Sequence, residues 1–408
     1  MIQKSQTNPL PIQNPLFWFS VTLSFLVGST INLLPVTFKV FQKLFQAGFE
    51  MQGQVNLFYF MGAILGNVLA GFLTTRIGPG SSVRVGLALG SFGCVMLAAS
   101  QNFFMVQTGA ALMGMGSVWL MIIFGTVTAE YFQEARQKIF AALLGTMAIG
   151  GTLAPLALGA YISNAWMEWN WPWWIPYIIL AGFYLLTLLN VPLVLKKSEK
   201  SRVKLKITIK PLLQFLKSLK LTLWLIGLAS ILHGIGQMGA VVWLGRLYAG
   251  RLPLSETQVA WMISVNTMGF IMGRVVWTFF GGRLPDRILL AISAGVGSIF
   301  YTLTIFSNNY LFGLIFIFVA GMAMSGDAIS LQSFTALRFR QSAAKAFGFT
   351  QALGYLGAGA GPMLMGYIGE RSGSLEESVW MIPLTIASLS VLGLSWHFLD
   401  RSEKVLNP

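Results

Sequence analysis

From Met1 to Ala129 the chain carries a single acidic residue, Glu50, and long apolar stretches fill most of that span. The scarcity persists to the C-terminus. Only 10% of the 408 residues are charged, against roughly 25% in soluble domains, while 55% are hydrophobic and mean hydropathy is +0.70. This composition excludes a water-soluble globule. A bilayer span needs about 20 predominantly apolar residues, and the apolar runs predict helices at 16–38, 55–75, 83–99, 103–129, 139–162, 174–195, 221–243, 259–280, 288–306, 310–337, 346–368 and 379–399. One cysteine, Cys94, and two histidines, His233 and His397, supply neither a disulfide framework nor a Cys/His metal cluster, so no metal and no cofactor is expected.

A formal net charge of +14 would suggest nucleic acid for a soluble protein, but in a membrane its meaning lies in the loops. With a cytosolic N-terminus, 21 of the 27 Lys and Arg fall on the cytosolic side; Lys39, Lys43, Arg246, Arg251 and Arg371 fall outside, and Arg274 lies within a helix. Cationic loops resist translocation, so both termini are expected in the cytosol and no nucleic-acid partner is expected. The first 15 residues lack the apolar core and cleavage site of a removable signal, so the first helix is expected to act as an uncleaved insertion signal. The chain reads as an integral multi-pass protein of the cytoplasmic, inner or plasma, membrane.

The longest break between helices, 196–220, holds nine basic residues and one acid, Glu199. It separates an N-terminal unit over 1–195 from a C-terminal unit over 221–408, six predicted helices in each. Leu212, Leu213, Phe215, Leu216 and Leu219 stand among lysines there, as in a short amphipathic helix on the inner leaflet with membrane lipids as partners. An ordinary positive-inside linker is the plainer reading.

A repeat is hidden in the spacing. Adding 207 to a position takes Met61 and Gly62 to Met268 and Gly269, Gly66 to Gly273, Arg76 to Arg283, Gly90 and Ser91 to Gly297 and Ser298, Gly114 to Gly321, Lys138 to Lys345, Pro155 to Pro362 and Gly159 to Gly366. The register runs without a gap over about a hundred positions. It preserves Gly, Pro, Lys and Arg, the residues whose replacement at helix contacts and turns is costly. Six helices per copy give both copies the same orientation, a layout suited to a site between two rocking bundles.

Gly71-Phe-Leu-Thr-Thr-Arg76-Ile-Gly78 resembles the Gly-x-Leu-Ala-Asp-Arg-x-Gly signature of the major facilitator superfamily. Topology, linker and repeat extend the resemblance over essentially the whole chain. It implies an all-α membrane protein of twelve transmembrane helices in two six-helix bundles, and a cytosolic gate latch at Gly71, Arg76 and Gly78, repeated at Arg283, Asp286 and Arg287. Thr75 replaces the signature's acid and Pro79-Gly80 the basic pair after it, so the latch is expected to be weak in the first copy. Topology signalling is the alternative role of Arg76 and Arg283. Pro155 and Gly159 in the fifth predicted helix, and Pro362 and Gly366 in the eleventh, are further gating candidates, since proline loosens the helical ladder and small residues allow close approach. The drug-antiporter form of this motif is not met, because Ala154 and Leu158 occupy two of its glycine positions. Within the superfamily Ile175–Gly182, Gly269-x-x-x-Gly273-Arg274, and Gln237 followed by Trp243 look similar to the fucose permease and related sugar symporters. The acids that fucose permease uses in its first and fourth helices are not matched.

Asp327 is the only acid well inside a predicted helix, about 26 Å along it at 1.5 Å per residue, and Arg274 lies at comparable depth. Such charges cost several kcal/mol unless paired or hydrated, so an Arg274–Asp327 pair is expected, either coupling protons to transport or locking the C-terminal bundle. His233 titrates near neutral pH when hydrated and is a second proton candidate. Sugar recognition needs a ring face and neutral donors and acceptors; Asn32, Gln107, Trp119, Gln237, Trp243, Asn266, Gln332 and Gln351 provide them. Trp166, Trp169, Trp171, Trp173 and Trp174 read as an interfacial aromatic belt.

The expectation is therefore a secondary transporter of a small polar organic solute, a sugar among the candidates, working by alternating access, proton-coupled, and functional as a monomer because two bundles complete a site within one chain. A drug or lipid exporter of the same fold is the first alternative; a non-transporting sensor or scaffold is an alternative of another class. No nucleotide-binding loop is present and no nucleophile–base or paired-carboxylate constellation lies at membrane depth, so an enzyme is not expected.

Overall fold

The structure, a computed structural model, describes residues 13–132, 136–195, 221–280, 283–339 and 343–406. The basic linker with its expected amphipathic helix, 196–220, lies outside the described residues.

In the first half the helices are α1 (Pro15–Ile31), α2 (Leu33–Val36), α3 (Phe38–Phe45), α4 (Phe49–Ile77), α5 (Pro79–Ala98), α6 (Phe103–Tyr131), α7 (Arg136–Ala160) and α8 (Ile175–Leu195). In the second they are α9 (Leu221–Gly239), α10 (Gly245–Arg251), α11 (Glu256–Phe280), α12 (Asp286–Phe306), α13 (Tyr310–Arg338), α14 (Ala343–Ser372), α15 (Leu375–Ser378) and α16 (Met381–Leu406). Single π-helical turns, Tyr161–Trp166 and Ala240–Leu244, extend α7 and join α9 to α10. Among the described residues nine helical segments are long and apolar enough to cross a membrane, and Pro15–Ile31 and Ile175–Val191 are shorter apolar helices. Large apolar side chains such as Leu65, Phe92, Phe183, Leu189, Ile299, Phe306 and Val391 face outward, as suits a surface solvated by lipid tails.

The first predicted helix, 16–38, is in fact broken. Asn32 leaves helical geometry at φ −113° and ψ 8°, and Pro35 in α2 has no N–H to continue the ladder. Other predicted helices run longer than their apolar cores: α4 starts at Phe49 and α14 covers Ala343–Ser372, because polar end turns carry no hydropathy signal. At Gly78 the chain turns with φ +80°, in the left-handed range that favours glycine, and Pro79 then occupies the first turn of α5.

The 207-residue register holds in the backbone. Phe49, Pro79, Phe103 and Arg136 begin helices, and Glu256, Asp286, Tyr310 and Ala343, each 207 residues on, begin their counterparts. Contacts repeat with it. A Cβ on Gly62 would run into the carbonyl of Ala111, and one on Gly269 into the carbonyl of Phe318, the residue 207 positions beyond Ala111. Close approach of α4 to α6, and of α11 to α13, requires glycine at these points.

Helices of the first half pack as α4 on α6, α6 on α5, α5 on α8 and α1 on α7; those of the second as α11 on α13, α13 on α12, α12 on α16 and α9 on α14. The halves meet along two seams, α4 against α14 and α7 against α11.

Candidate functional site

Between the halves lies a cavity of about 350 Å³, within the range of small-molecule sites. Its walls differ. From the first half come Val27, Ile31, Val118, Met121, Leu144 and Met147, with Asn32, Tyr59 and Ser117 as the polar groups; from the second come Ser230, His233, Gln237, Asn266, Thr267, Arg274, Tyr301, Gln332, Thr350, Gln351 and Tyr355 among others. Hydrogen-bonding capacity is thus concentrated on the C-terminal side.

Several polar groups are held in place. Asn32 Nδ2 donates to the Gly151 carbonyl at 3.1 Å and to Thr267 Oγ1 at 3.0 Å, crossing from one half to the other. The break in the first helix places it there. Tyr301 donates to Asn266 Oδ1 at 3.0 Å, and Thr30, Ser117 and Tyr59 form a buried hydroxyl cluster with Thr30 Oγ1 2.7 Å from Ser117 Oγ.

The contacts joining the halves gather at the ends of the seams where the expected outer loops attach. The Glu370 carboxylate accepts from the Phe49 N–H at the start of α4, and Ser163 Oγ accepts from the Thr257 N–H, 2.9 Å away, in the first turn of α11. Arg246 Nη2 lies 2.7 Å from Glu256 Oε2 and donates to the Pro35 and Val36 carbonyls at 3.1 Å. Trp243 stands between Phe38 and Phe49 with ring centroids 5.8 and 5.9 Å away. Deeper along the seams Asn56 Nδ2 donates to the Ala358 carbonyl at 2.8 Å and Ser264 Oγ to that of Thr152 at 2.8 Å.

Of the candidate binding residues, Asn32, His233, Gln237, Asn266, Gln332 and Gln351 line the cavity, as does Arg274. Three do not. Gln107 Nε2 donates to Gln54 Oε1 at 2.9 Å, Trp119 is fully buried with Nε1 3.0 Å from Ser82 Oγ, and Trp243 is fully buried with Nε1 2.9 Å from the Pro362 carbonyl. Each faces a packed neighbour, so its polar atom is already satisfied.

The expected Arg274–Asp327 pair gives way to a different arrangement. Asp327 is fully buried behind the cavity wall, where its carboxylate accepts from the Ser293 hydroxyl and faces His233 Nδ1 at 3.7 Å. The Arg274 guanidinium lies over the Phe270 ring, 5.1 Å from its centroid, on the cavity side. Similar depth along two helices does not mean a shared azimuth.

Among the gating candidates, Gly159 and Gly366 sit at the seams: a Cβ on Gly159 would meet Ala260 Cβ at 2.5 Å, and one on Gly366 would strike the Phe49 carbonyl. Pro155 and Pro362 are buried inside α7 and α14. Gly71, Arg76 and Arg283 are exposed, and Gly78, Asp286 and Arg287 half-buried, at the opposite end of the seams. In the tryptophan cluster Trp169, Trp171 and Trp174 are exposed while Trp166 and Trp173 are buried; Lys43 Nζ lies 4.9 Å from the Trp166 ring centroid.

Sequence reasoning missed Tyr59, Ser117, Thr267, Tyr301 and Tyr355 in the cavity wall. The register offers a signal for one of them, since Tyr59 stands 207 residues before Asn266. Uncharged hydroxyls within apolar helices otherwise give no cue to which way they face.

The sequence model of the Major Facilitator Superfamily matches residues 18–252 and again 226–408. The agnestins efflux protein AgnL12 of Paecilomyces divaricatus is 22% identical over 319 residues, 72% of this chain and 67% of that protein. A crystal structure of a mutant of the nucleoside transporter NupG superposes with a TM-score of 0.73 at 14% identity, covering 94% of this chain and 99% of that one. A mutant of the E. coli fucose:proton symporter FucP gives 0.64 at 17% identity, covering 92% and 97%. At such identities the solved structures show a shared fold alone. The paired helical halves around one cavity and the two family matches, which together span nearly the whole chain, lead to one conclusion: this integral multi-pass membrane protein belongs to the Major Facilitator Superfamily, whose relatives here are transporters and not enzymes.

Proposed function

We propose that the protein moves a small organic solute bearing polar groups across the cytoplasmic membrane by alternating access, with twelve spanning helices, both termini in the cytosol, and residues 1–195 and 221–408 rocking about the cavity between them. The single observation that carries this reading is the cavity walled by both halves, which are joined at one end of their seams through Arg246, Ser163 and Glu370. Both walls come from one chain, so a monomer suffices. The amides of Gln237, Asn266, Gln332 and Gln351 suit hydroxyls or other neutral polar groups, sugars among them, and the FucP likeness in fold agrees with that class.

His233 facing Asp327 is where a proton would be exchanged. Loss of the Asp327 charge changes what its buried neighbours require, and this ties proton occupancy to the packing of α9, α12 and α13. The basic linker would rest on anionic lipids of the inner leaflet. Export of a more lipophilic compound is a second reading, favoured by the apolar first-half wall with Met121 and Met147 and by the efflux protein among the relatives.

The test is accessibility from each side of sealed proteoliposomes, with single cysteines at Gln351 and Gln237 in a Cys94→Ser background. Labelling that switches sides when Glu370 and Ser163 are both replaced by Ala supports alternating access. Labelling confined to one side in every variant would overturn it.

A further inference from the structure

The cavity wall carries a guanidinium, that of Arg274. Arg274 and His233 line the cavity, and among the described residues no aspartate or glutamate does; Asp327 is fully buried behind the wall and turned to Ser293 and His233. A guanidinium at membrane depth is costly and marks a functional group when it faces a cavity. The Phe270 ring lies beneath the Arg274 guanidinium, a group whose fork of donors matches a carboxylate or similar oxyanion.

Opposite this side the first half presents Val27, Ile31, Val118, Met121, Leu144 and Met147, while its polar groups are engaged, Asn32 with Gly151 and Thr267, and Tyr59 and Ser117 with Thr30. A sugar has hydroxyls all round its ring. Those turned to the aliphatic and methionine side chains of this wall would lose water without gaining partners, and each unsatisfied group opposes binding. A molecule with one anionic end and one apolar end satisfies both walls: the anion meets Arg274 and the neighbouring amides, while the hydrocarbon or aromatic body displaces water from the aliphatic and methionine side chains. A cation would approach a wall that already carries the Arg274 guanidinium, and like charges repel.

We infer that the substrate is an amphipathic organic anion, a carboxylate or comparable oxyanion on a compact apolar body, bound with its charged end at Arg274. This rests on the transporter reading above and narrows its substrate class.

Three probes with one apolar body separate the terms: 1-naphthylacetate, its neutral amide, and the cationic 1-naphthylmethylammonium, with L-fucose as the hydrophilic neutral comparison. Binding is read on the purified full chain as a ligand-dependent rise in thermal midpoint, and transport as counterflow in proteoliposomes. The expected result is stabilisation by naphthylacetate, at least about tenfold weaker binding of the amide, and none by the cation, since a charge-assisted hydrogen bond is worth a tenfold or larger change in affinity. Arg274→Gln should bring acid and amide within about threefold of each other, and Arg274→Lys should restore part of the preference. Met147→Gln, which leaves the charge and polarises the opposite wall, should weaken acid and amide alike. Preference for the amide, the cation or L-fucose, no stabilisation by naphthylacetate, or an anion preference untouched in folded Arg274→Gln would overturn the proposal. Failure of the transporter reading looks different: naphthylacetate binds with the expected Arg274 dependence, yet proteoliposomes show no counterflow.

Discussion

Ser163 and Glu370, 207 residues apart, each accept a hydrogen bond from the first turn of a helix in the opposite half: Glu370 from the Phe49 N–H of α4, and Ser163 from the Thr257 N–H of α11. The first N–H groups of a helix have no partner within it, and a carboxylate there also meets the positive end of the helix dipole. When these ends of the seams part, both helix starts lose their caps together. The repeat thus places a matched pair of latches at one end of the two seams.

Removing one cap should shift the balance between closed and open forms of these seam ends. Glu370→Ala is expected to cost the closed form about 1 kcal/mol, as for an N-cap, and Ser163→Ala with Glu370→Ala more. Spin labels at the exposed Gln46 and Glu377, read by pulsed electron resonance, should gain a longer distance in the variants. An unchanged distance distribution would remove the latch assignment.

Arg246 and Glu256 form a buried pair, their side chains 10% and 6% exposed. Glu256→Gln leaves the guanidinium beside the Pro35 and Val36 carbonyls without its countercharge, and breaking such a pair costs about 3–5 kcal/mol. The thermal midpoint in detergent should fall clearly for Glu256→Gln, while Arg246→Leu with Glu256→Leu should recover much of the loss. A double variant no better than the single one would assign the effect to packing instead.

Trp243 is a peg between the halves rather than a wall of the cavity. Trp243→Phe loses the hydrogen bond to the Pro362 carbonyl and should cost about 1–2 kcal/mol of stability, leaving ligand affinity within about twofold. Gln237→Leu or Gln351→Leu should do the reverse, weakening ligand binding with little change in thermal midpoint. The assignment fails if Trp243→Phe moves affinity and leaves stability alone.

Asp327→Asn keeps the shape around Ser293 and His233 but removes the titrating carboxylate. Exchange of substrate across proteoliposomes should survive, whereas acceleration by an imposed proton gradient should fall at least about tenfold, a loss of about 1.4 kcal/mol of coupling or more. Gradient-driven uptake that persists in this variant would place the proton elsewhere.

Much of the fold is legible in the chain itself. Long apolar runs leave few alternatives to helices in a bilayer, because backbone polar groups must pair internally there. The repeat is legible for a related reason: Gly62 and Gly269 face carbonyls of a neighbouring helix, so selection for close approach leaves the same small residue at both positions. The break at Asn32 is hidden, since a proline close to the end of a predicted span looks like an ordinary helix end. The cavity is only partly legible. Gln237 and Trp243 lie six residues apart on nearly the same run of chain, yet Gln237 lines the cavity and Trp243 is buried against Pro362.

The sequence by itself determined the membrane class, the helical segments, the paired halves and the short set of polar residues available at depth, since these follow from composition and spacing along one dimension. Tertiary structure alone decided that Asp327 faces His233 and Ser293 while Arg274 lines the cavity, and that most of the cavity's polar side chains stand on the second-half wall. Those outcomes depend on each helix's rotation about its axis, which is set by packing against neighbouring helices and not by hydropathy.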